Sequence, residues 1–186
     1  IGSISVICTD KTGTLTRNEM VAVAVETPEG RFSVDGEGYV PEGRVTPAGD
    51  LARLGLAAAL CNDARLHRVD GEWRVEGDPM EGALLALARK LGGDQTARRL
   101  DSIPFDSRHR FMAVLSDGPA GRLVQVKGAP ERVLRMCGDV DAQHWHHRVE
   151  AMARQGLRVL ALADRETEAP TIEGDRLDGG FRFLGL

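Results

Sequence analysis

The chain has few aromatic residues, few cysteines and no excess of basic charge. Aromatic residues make up 4% of its 186 residues and the formal net charge is -4, so it lacks the basic footprint of a nucleic-acid-binding domain. Cys8, Cys61 and Cys137 are far apart and form no Cys-x-x-Cys pair, which argues against a zinc site and fits a reducing compartment. No apolar run approaches the roughly 18 residues of a membrane-spanning helix, and no signal peptide opens the sequence. What is present is 42% apolar residues, enough for the core of an ordinary domain.

An aspartate near the start of the sequence is the first candidate functional residue. The apolar, β-branched run at residues 4–8 predicts a strand buried on both faces of a parallel sheet. Such a strand presents the residues that follow it at the carboxyl edge, where open α/β sheets bind ligands. Asp10 follows this strand, and its carboxylate is ionised at neutral pH and needs no general base to attack phosphorus. Gly13 lets the main chain turn close to an anion, and Lys11 places a positive charge beside the transferring group.

The residue two places after this aspartate separates it from most phosphatases that use an aspartate nucleophile. Many of those enzymes carry a second acid there, whereas this chain has Thr12, so an aspartyl-phosphate on Asp10 should be longer-lived. Residues 10–16, Asp-Lys-Thr-Gly-Thr-Leu-Thr, resemble the phosphorylation motif of P-type ATPases, the cation pumps that pass through an aspartyl-phosphate. The resemblance implies that Asp10, Lys11 and Thr12 are catalytic. It also implies that Asp10 and the Thr12 carbonyl help to hold Mg²⁺.

Hydrophobic periodicity and turn residues predict a mixed α+β arrangement for the rest of the chain. Thr46, Asp78 and Asp141 are expected to cap the first, second and fourth helices. Antiparallel hairpin strands mixed with helices are typical of α+β domains. The predicted strands are 20–25, 31–34, 73–75, 111–116, 122–127, 157–163 and 181–186, and the predicted helices are 48–62, 77–92, 130–138 and 141–156.

Four separated segments resemble the nucleotide-binding domain of calcium and sodium pumps. They are residues 77–83, 105–112, 127–131 and 156–158. The resemblance implies that Glu81 faces the adenine amino group, that Phe105 stacks on adenine and that Met112 lies near the base. The residues allow other roles: Glu81 can complete a capping box with Asp78, and Phe105 or Met112 can pack in the core.

The same resemblance assigns the phosphate contacts. It implies that Lys127 and Arg158 bind phosphates, for which a forked guanidinium is well suited, and that Gly128 allows a close approach of the main chain. The loop after Phe105 departs from the family, because Ser107 and the pair His109-Arg110 replace cations found in some members. Arg108 could compensate, so the loop cations that reach the triphosphate stay open.

Two further features of the sequence complete the site analysis. Residues 60–64, Leu-Cys-Asn-Asp-Ala, also resemble a stretch of the pump family. His144, His146 and His147 share a predicted helix, but none of them has the i, i+4 spacing of zinc-binding helices. We therefore expect these histidines to form a solvated face.

The resemblance also predicts how the chain is organised. Residues 1–18 are expected to begin an α/β phosphorylation domain, residues 19–180 to form the nucleotide-binding domain, and residues 181–186 to return to the phosphorylation domain. The last apolar run stops abruptly, so we expect a piece of a larger protein. Terminal strands without sheet partners should be poorly supported.

The predicted function is the ATP-binding domain of an ATP-driven cation pump, with ATP and Mg²⁺ as cofactors. Expected partners are the actuator, phosphorylation and membrane domains of the same pump, with no nucleic acid. The chain should be a cytoplasmic domain of an integral membrane protein, not itself inserted, and should bind ATP without turnover. A soluble aspartate-nucleophile phosphatase and a non-catalytic nucleotide sensor are the alternatives.

Overall fold

The computed structural model describes residues 19–93, 97–119, 121–138, 140–172 and 177–186. The predicted strand at 4–8 and the motif at 10–16 lie outside these ranges. The elements in chain order are β1 (Ala24–Thr27), β2 (Gly30–Val34), β3 (Val45–Thr46), α1 (Ala52–Leu60), β4 (Arg65–Val69), β5 (Glu72–Glu76), α2 (Pro79–Lys90), β6 (Arg98–Ile103), β7 (Phe111–Gly118), β8 (Gly121–Gly128), α3 (Pro130–Met136), α4 (Ala142–Arg154), β9 (Ala161–Glu166) and β10 (Arg182–Gly185).

A five-stranded antiparallel sheet lies at the centre of the fold. Its strand order is β10-β9-β8-β7-β6, and helices cover both of its faces. α1 contacts β8 and β9, as does α3, while α4 packs its Trp145 and Met152 into the cluster that contains Leu115 and Val126. The predicted α+β class, an antiparallel sheet flanked by helices, is confirmed.

Alternating residues of the central strands separate the two faces of this sheet. Phe111, Ala113 and Leu115 of β7 belong to the core on the α3 and α4 side. Met112 and Val114 point the other way and cluster with Cys61 at the end of α1. Period-two alternation in a strand buried on both faces produces this division. The α1 and α2 face is the one that carries the candidate site.

The last strand corrects one expectation from the sequence. β10 pairs with β9, with Phe183 opposite Ala163, and the ring of Phe183 lies 4.6 Å from that of Trp145. Main-chain hydrogen bonds also join Leu186 to Glu26, at 2.9 and 2.7 Å. The expectation that residues 181–186 lack support is therefore wrong, because the edge of β9 supplies a sheet partner. The predicted division into residues 1–18, 19–180 and 181–186 stays a prediction.

Several element boundaries also differ from the sequence predictions. Thr46 lies in β3 and does not cap the first helix; α1 begins at Ala52, whose N–H donates to Asp50 Oδ1 at 3.3 Å. β9 begins at Ala161, so Arg158 precedes the strand. β4 and β6 were not predicted, since their polar sequences lack a clear apolar alternation.

None of the helices in the described ranges is long and apolar enough to cross a membrane.

Candidate functional site

The structure brings together two of the predicted site residues, Lys127 and Glu81. Lys127 Nζ lies 2.6 Å from Glu81 Oε1. The side chain of Lys127 is 3% exposed and that of Glu81 is 12% exposed. Removing a charge from water is costly unless it is paired, and here each charged group meets the other. The pair joins the end of β8 to the first turn of α2.

Glu81 is positioned by the start of α2. Asp78 is the N-cap, its carboxylate accepting hydrogen bonds from the N–H groups of Met80 at 2.9 Å and Glu81 at 3.2 Å, so the predicted cap is confirmed. The carboxylate of Glu81 accepts from Lys127 and, at 3.1 Å, from Asp63 N–H. The geometry therefore turns the Glu81 side chain towards β8 and the end of α1.

Lys127 is held by the pairing of β8 with its neighbours. It lies opposite Met112 of β7 and Leu162 of β9. At Gly128, a Cβ would stand 2.5 Å from Arg110 O and 2.8 Å from the Cα of Phe111. Glycine at this position thus allows β8 to approach β7 closely. The close approach of the Gly128 main chain to a bound phosphate stays a prediction.

Met112 is the cross-strand neighbour of Lys127, and Cys61 packs against Met112. Met112 is fully buried, which matches the core role that the sequence left open for it. Cys61 Sγ donates to Met112 O at 3.2 Å, and burial raises the pKa of the Cys61 thiol to about 12. A neutral thiol and a thioether therefore lie together next to the strand position of Lys127.

Phe105 lies on the loop between β6 and β7 and is 59% exposed. An exposed aromatic ring is available for stacking. The loop is closed by Asp106, whose carboxylate accepts from Arg108 N at 2.7 Å and from the Arg108 guanidinium at 2.9 Å. These hydrogen bonds hold the pKa of Asp106 well below its usual range. Arg110, with φ of 58°, pairs with Glu131 at 2.6 Å.

Arg158 is exposed and precedes β9. It lines a cavity of about 130 Å³ whose walls also include Met80 and Leu84 of α2. The cavity is therefore next to the helix that carries Glu81, although Arg158 is not part of the Lys127–Glu81 pair.

The catalytic and metal residues predicted from the sequence, Asp10, Lys11 and Thr12, lie outside the described residues. Within the described ranges, no group of three or more His, Cys, Asp or Glu side chains could hold a metal ion. His144, His146 and His147 are exposed on α4.

No role was predicted from the sequence for three residues that surround Glu81. Asn62 Nδ2 donates to Glu81 O at 2.9 Å, and Asp63 donates its N–H to the Glu81 carboxylate. Arg99 Nη1 contacts Asp63 Oδ1 at 2.7 Å. The resemblance of residues 60–64 to the pump family indicated that this segment has a function. Its contact with α2 is visible only in the folded chain.

Comparisons with known proteins give the family of the chain. A family model described as P-type ATPase, cytoplasmic domain N, matches residues 50–186. Cation-transporting ATPase pma1 of Synechocystis is 39% identical over 100% of this chain and 24% of its own length. Probable cation-transporting ATPase F of Mycobacterium tuberculosis is 36% identical over 87% of this chain and 21% of its own length.

A third relative, the Calcium-transporting ATPase of Bacillus subtilis, is 34% identical over 100% of this chain and 24% of its own length. The chain thus spans about a quarter of the length of the relatives it matches. The family model covers well over half of the chain, and the fold is the α+β architecture that the resemblance implied. The chain belongs to the P-type ATPase family and contains its cytoplasmic domain N.

Proposed function

We propose that the chain binds ATP and that the complete protein is an ATP-driven cation pump that forms an aspartyl-phosphate on Asp10. The observation that carries the proposal is the 2.6 Å pairing of Lys127 with Glu81, whose side chain is still 12% exposed. Both members of this pair are residues to which the family resemblance assigns ligand contacts. The relatives named as cation-transporting ATPases support the same function.

The residues present fit a nucleotide. The exposed ring of Phe105 offers a stacking face for adenine. The carboxylate of Glu81 can accept a hydrogen bond from the adenine amino group, since an ionised carboxylate is an acceptor with two oxygens. Lys127 carries a compact positive charge suited to phosphate. Arg158 is proposed as a second phosphate contact, with Gly128 and Met112 shaping the pocket.

The chemistry that follows is mainly positioning and charge neutralisation. In the complete protein, the Asp10 carboxylate would bond to the γ-phosphorus while the bond to the β,γ-bridging oxygen breaks and ADP leaves, with Lys11 beside the transferring group. Mg²⁺ held by Asp10 and the Thr12 carbonyl would neutralise phosphate charge. We infer that the chain lies on the cytoplasmic side of an integral membrane protein, and that the phosphorylation, actuator and membrane domains are its partners.

The test uses the complete protein, incubated with Mg²⁺ and ATP labelled on its γ-phosphate. We expect an acid-stable, hydroxylamine-sensitive label that maps to Asp10 and is lost in Asp10→Asn. Label appearing on another residue would contradict the proposal. Rapid hydrolysis of generic phosphate esters would favour a soluble phosphatase, and nucleotide binding without any acyl-phosphate would favour a sensor.

A further inference from the structure

Asn62, at the end of α1, hydrogen-bonds to the helix that carries Glu81. The residue is 8% exposed. Its Nδ2 donates to Glu81 O at 2.9 Å and to Ala58 O at 3.3 Å, and its Oδ1 accepts from Ala64 N at 2.9 Å. A single amide therefore joins the end of α1, the segment before β4 and the first turn of α2.

The next residue of the chain contacts the carboxylate of Glu81. Asp63 N–H donates to Glu81 Oε2 at 3.1 Å, while Lys127 lies 2.6 Å from Oε1. Each oxygen of the carboxylate thus has one partner. Asn62 hydrogen-bonds to the main-chain carbonyl of Glu81, and Asp63 hydrogen-bonds to its carboxylate. This two-residue segment therefore sets the direction of the carboxylate.

Arg99 supports the same segment from β6. Its Nη1 donates to Asp63 Oδ1 at 2.7 Å and to Asn62 O at 3.4 Å. β6 is also the strand that precedes the loop of Phe105. The strand that carries Arg99 therefore leads directly into the loop that carries Phe105.

We propose that Asn62 is a positioning residue that sets the preference of this site for adenine over guanine. The proposal rests on the ATP-binding function proposed above. An oriented carboxylate accepts the amino group at position 6 of adenine, whereas it repels the carbonyl oxygen that guanine carries there. A site built to hydrogen-bond one group discriminates strongly against a ligand that lacks it. Loss of Asn62 frees the Glu81 carboxylate to turn, which weakens this discrimination without removing Lys127.

The test compares the dissociation constants of ATP and GTP for the chain and for Asn62→Ala. We expect the ratio of GTP to ATP dissociation constants to fall by about 3- to 10-fold, as expected when one hydrogen bond is lost. Asn62→Asp is the second variant, because it keeps the size and the Oδ1 acceptor but loses both donors. Both variants should weaken ATP binding, while GTP binding stays the same or becomes slightly stronger because the repulsion of the guanine carbonyl is relieved.

Asp141→Ala is the matched control for a loss of stability. It removes a cap whose carboxylate accepts from His144 N at 3.0 Å on α4, a helix packed on the opposite face of the sheet. We expect this control to lower thermal stability and to leave the nucleotide preference unchanged.

A double-mutant cycle with Glu81→Gln tests whether Asn62 acts through Glu81. In the Glu81→Gln background, Asn62→Ala should change the nucleotide preference no further. An unchanged preference in both Asn62 variants, or an equal loss in the Glu81→Gln background, would overturn the proposal while ATP binding stays intact. If the unmodified chain binds neither nucleotide, the proposed function fails as well, so the two failures are distinguishable.

Discussion

The ζ-nitrogen of Lys127 lies 2.6 Å from Oε1 of Glu81, joining two elements that are far apart in the sequence. Both side chains are largely withdrawn from water. A charge in such a place is stabilised mainly by its partner. The pair therefore links the stability of the fold to the chemistry of the site.

Removing one member of this pair should destabilise the chain. We expect Lys127→Met to cost about 3 kcal/mol of unfolding free energy, since it leaves Glu81 without its cation. The double variant Lys127→Met/Glu81→Gln should recover most of that loss. Urea denaturation of the single and double variants checks this, and a single variant as stable as the parent would contradict it.

Lys127→Ala should also weaken ATP binding more than adenosine binding, because the nucleoside has no phosphate.

Gly128 should not tolerate a side chain. A Cβ there would meet the main chain of Arg110 and Phe111 at 2.5 and 2.8 Å, so we expect Gly128→Ala to cost about 1–3 kcal/mol, the usual penalty of overpacking. Gly138→Ala is the control, because a Cβ at Gly138 meets no atom within 4 Å. Thermal unfolding of both variants is the measurement, and equal melting temperatures would show that β7 and β8 do not approach so closely.

The ion pair between α4 and β1 should stabilise the fold. Arg148 donates to both carboxylate oxygens of Glu26, at 2.7 and 2.8 Å, and the Glu26 side chain is buried. We expect Arg148→Ala to cost about 1.5–3 kcal/mol, towards the lower value because Arg148 is partly exposed. Arg154→Ala is the control on the same helix, since its bridge to Glu150 is exposed. Similar losses in the two variants would contradict this difference.

The thiol of Cys61 should be unreactive in the folded chain. Burial raises its pKa to about 12, against about 8.5 for a free thiol, so the unfolded state loses its proton first and folding stability should fall as pH rises above about 8.5. At pH 9, alkylation by iodoacetamide should be slow in buffer and fast in urea. Peptide mass spectrometry identifies the modified cysteine, and equal rates at Cys61 in both solvents would contradict the buried position.

Helices and hairpins with strong local signals could be predicted from the sequence. Asp78 and Asp141 are N-caps as expected. An aspartate immediately before a segment with helical periodicity is a local signal that needs no knowledge of the tertiary fold. The hairpin of β7 and β8 was also predicted, since Gly118 and Gly121 flank its turn. Thr46 carries the same type of signal, yet it forms β3, where pairing with Ser33 takes precedence.

Tertiary relationships were harder to predict. The pairing of β10 with β9 depends on an edge that β9 leaves available, and no local pattern reports such an edge. Glu81 and Lys127 were each named as candidates from the family resemblance, but their contact depends on how α2 packs on the sheet. The role proposed for Asn62 is harder still to predict from the sequence. Asn62 contacts the main-chain carbonyl of Glu81, and every residue has such a carbonyl.

The most direct test of the account is an ATP titration of the chain beside Phe105→Ala, followed by NMR chemical shifts. We expect the parent to bind with a dissociation constant on the order of 0.1–1 mM, with shifts at Glu81 and Lys127. Phe105→Ala should lose about 1–3 kcal/mol of that affinity and stay folded, because the ring is largely exposed. Val40→Ala, which shortens another exposed apolar side chain, and Asp10→Asn should change it little. Equal binding by Phe105→Ala and the parent would contradict the assignment of the pocket.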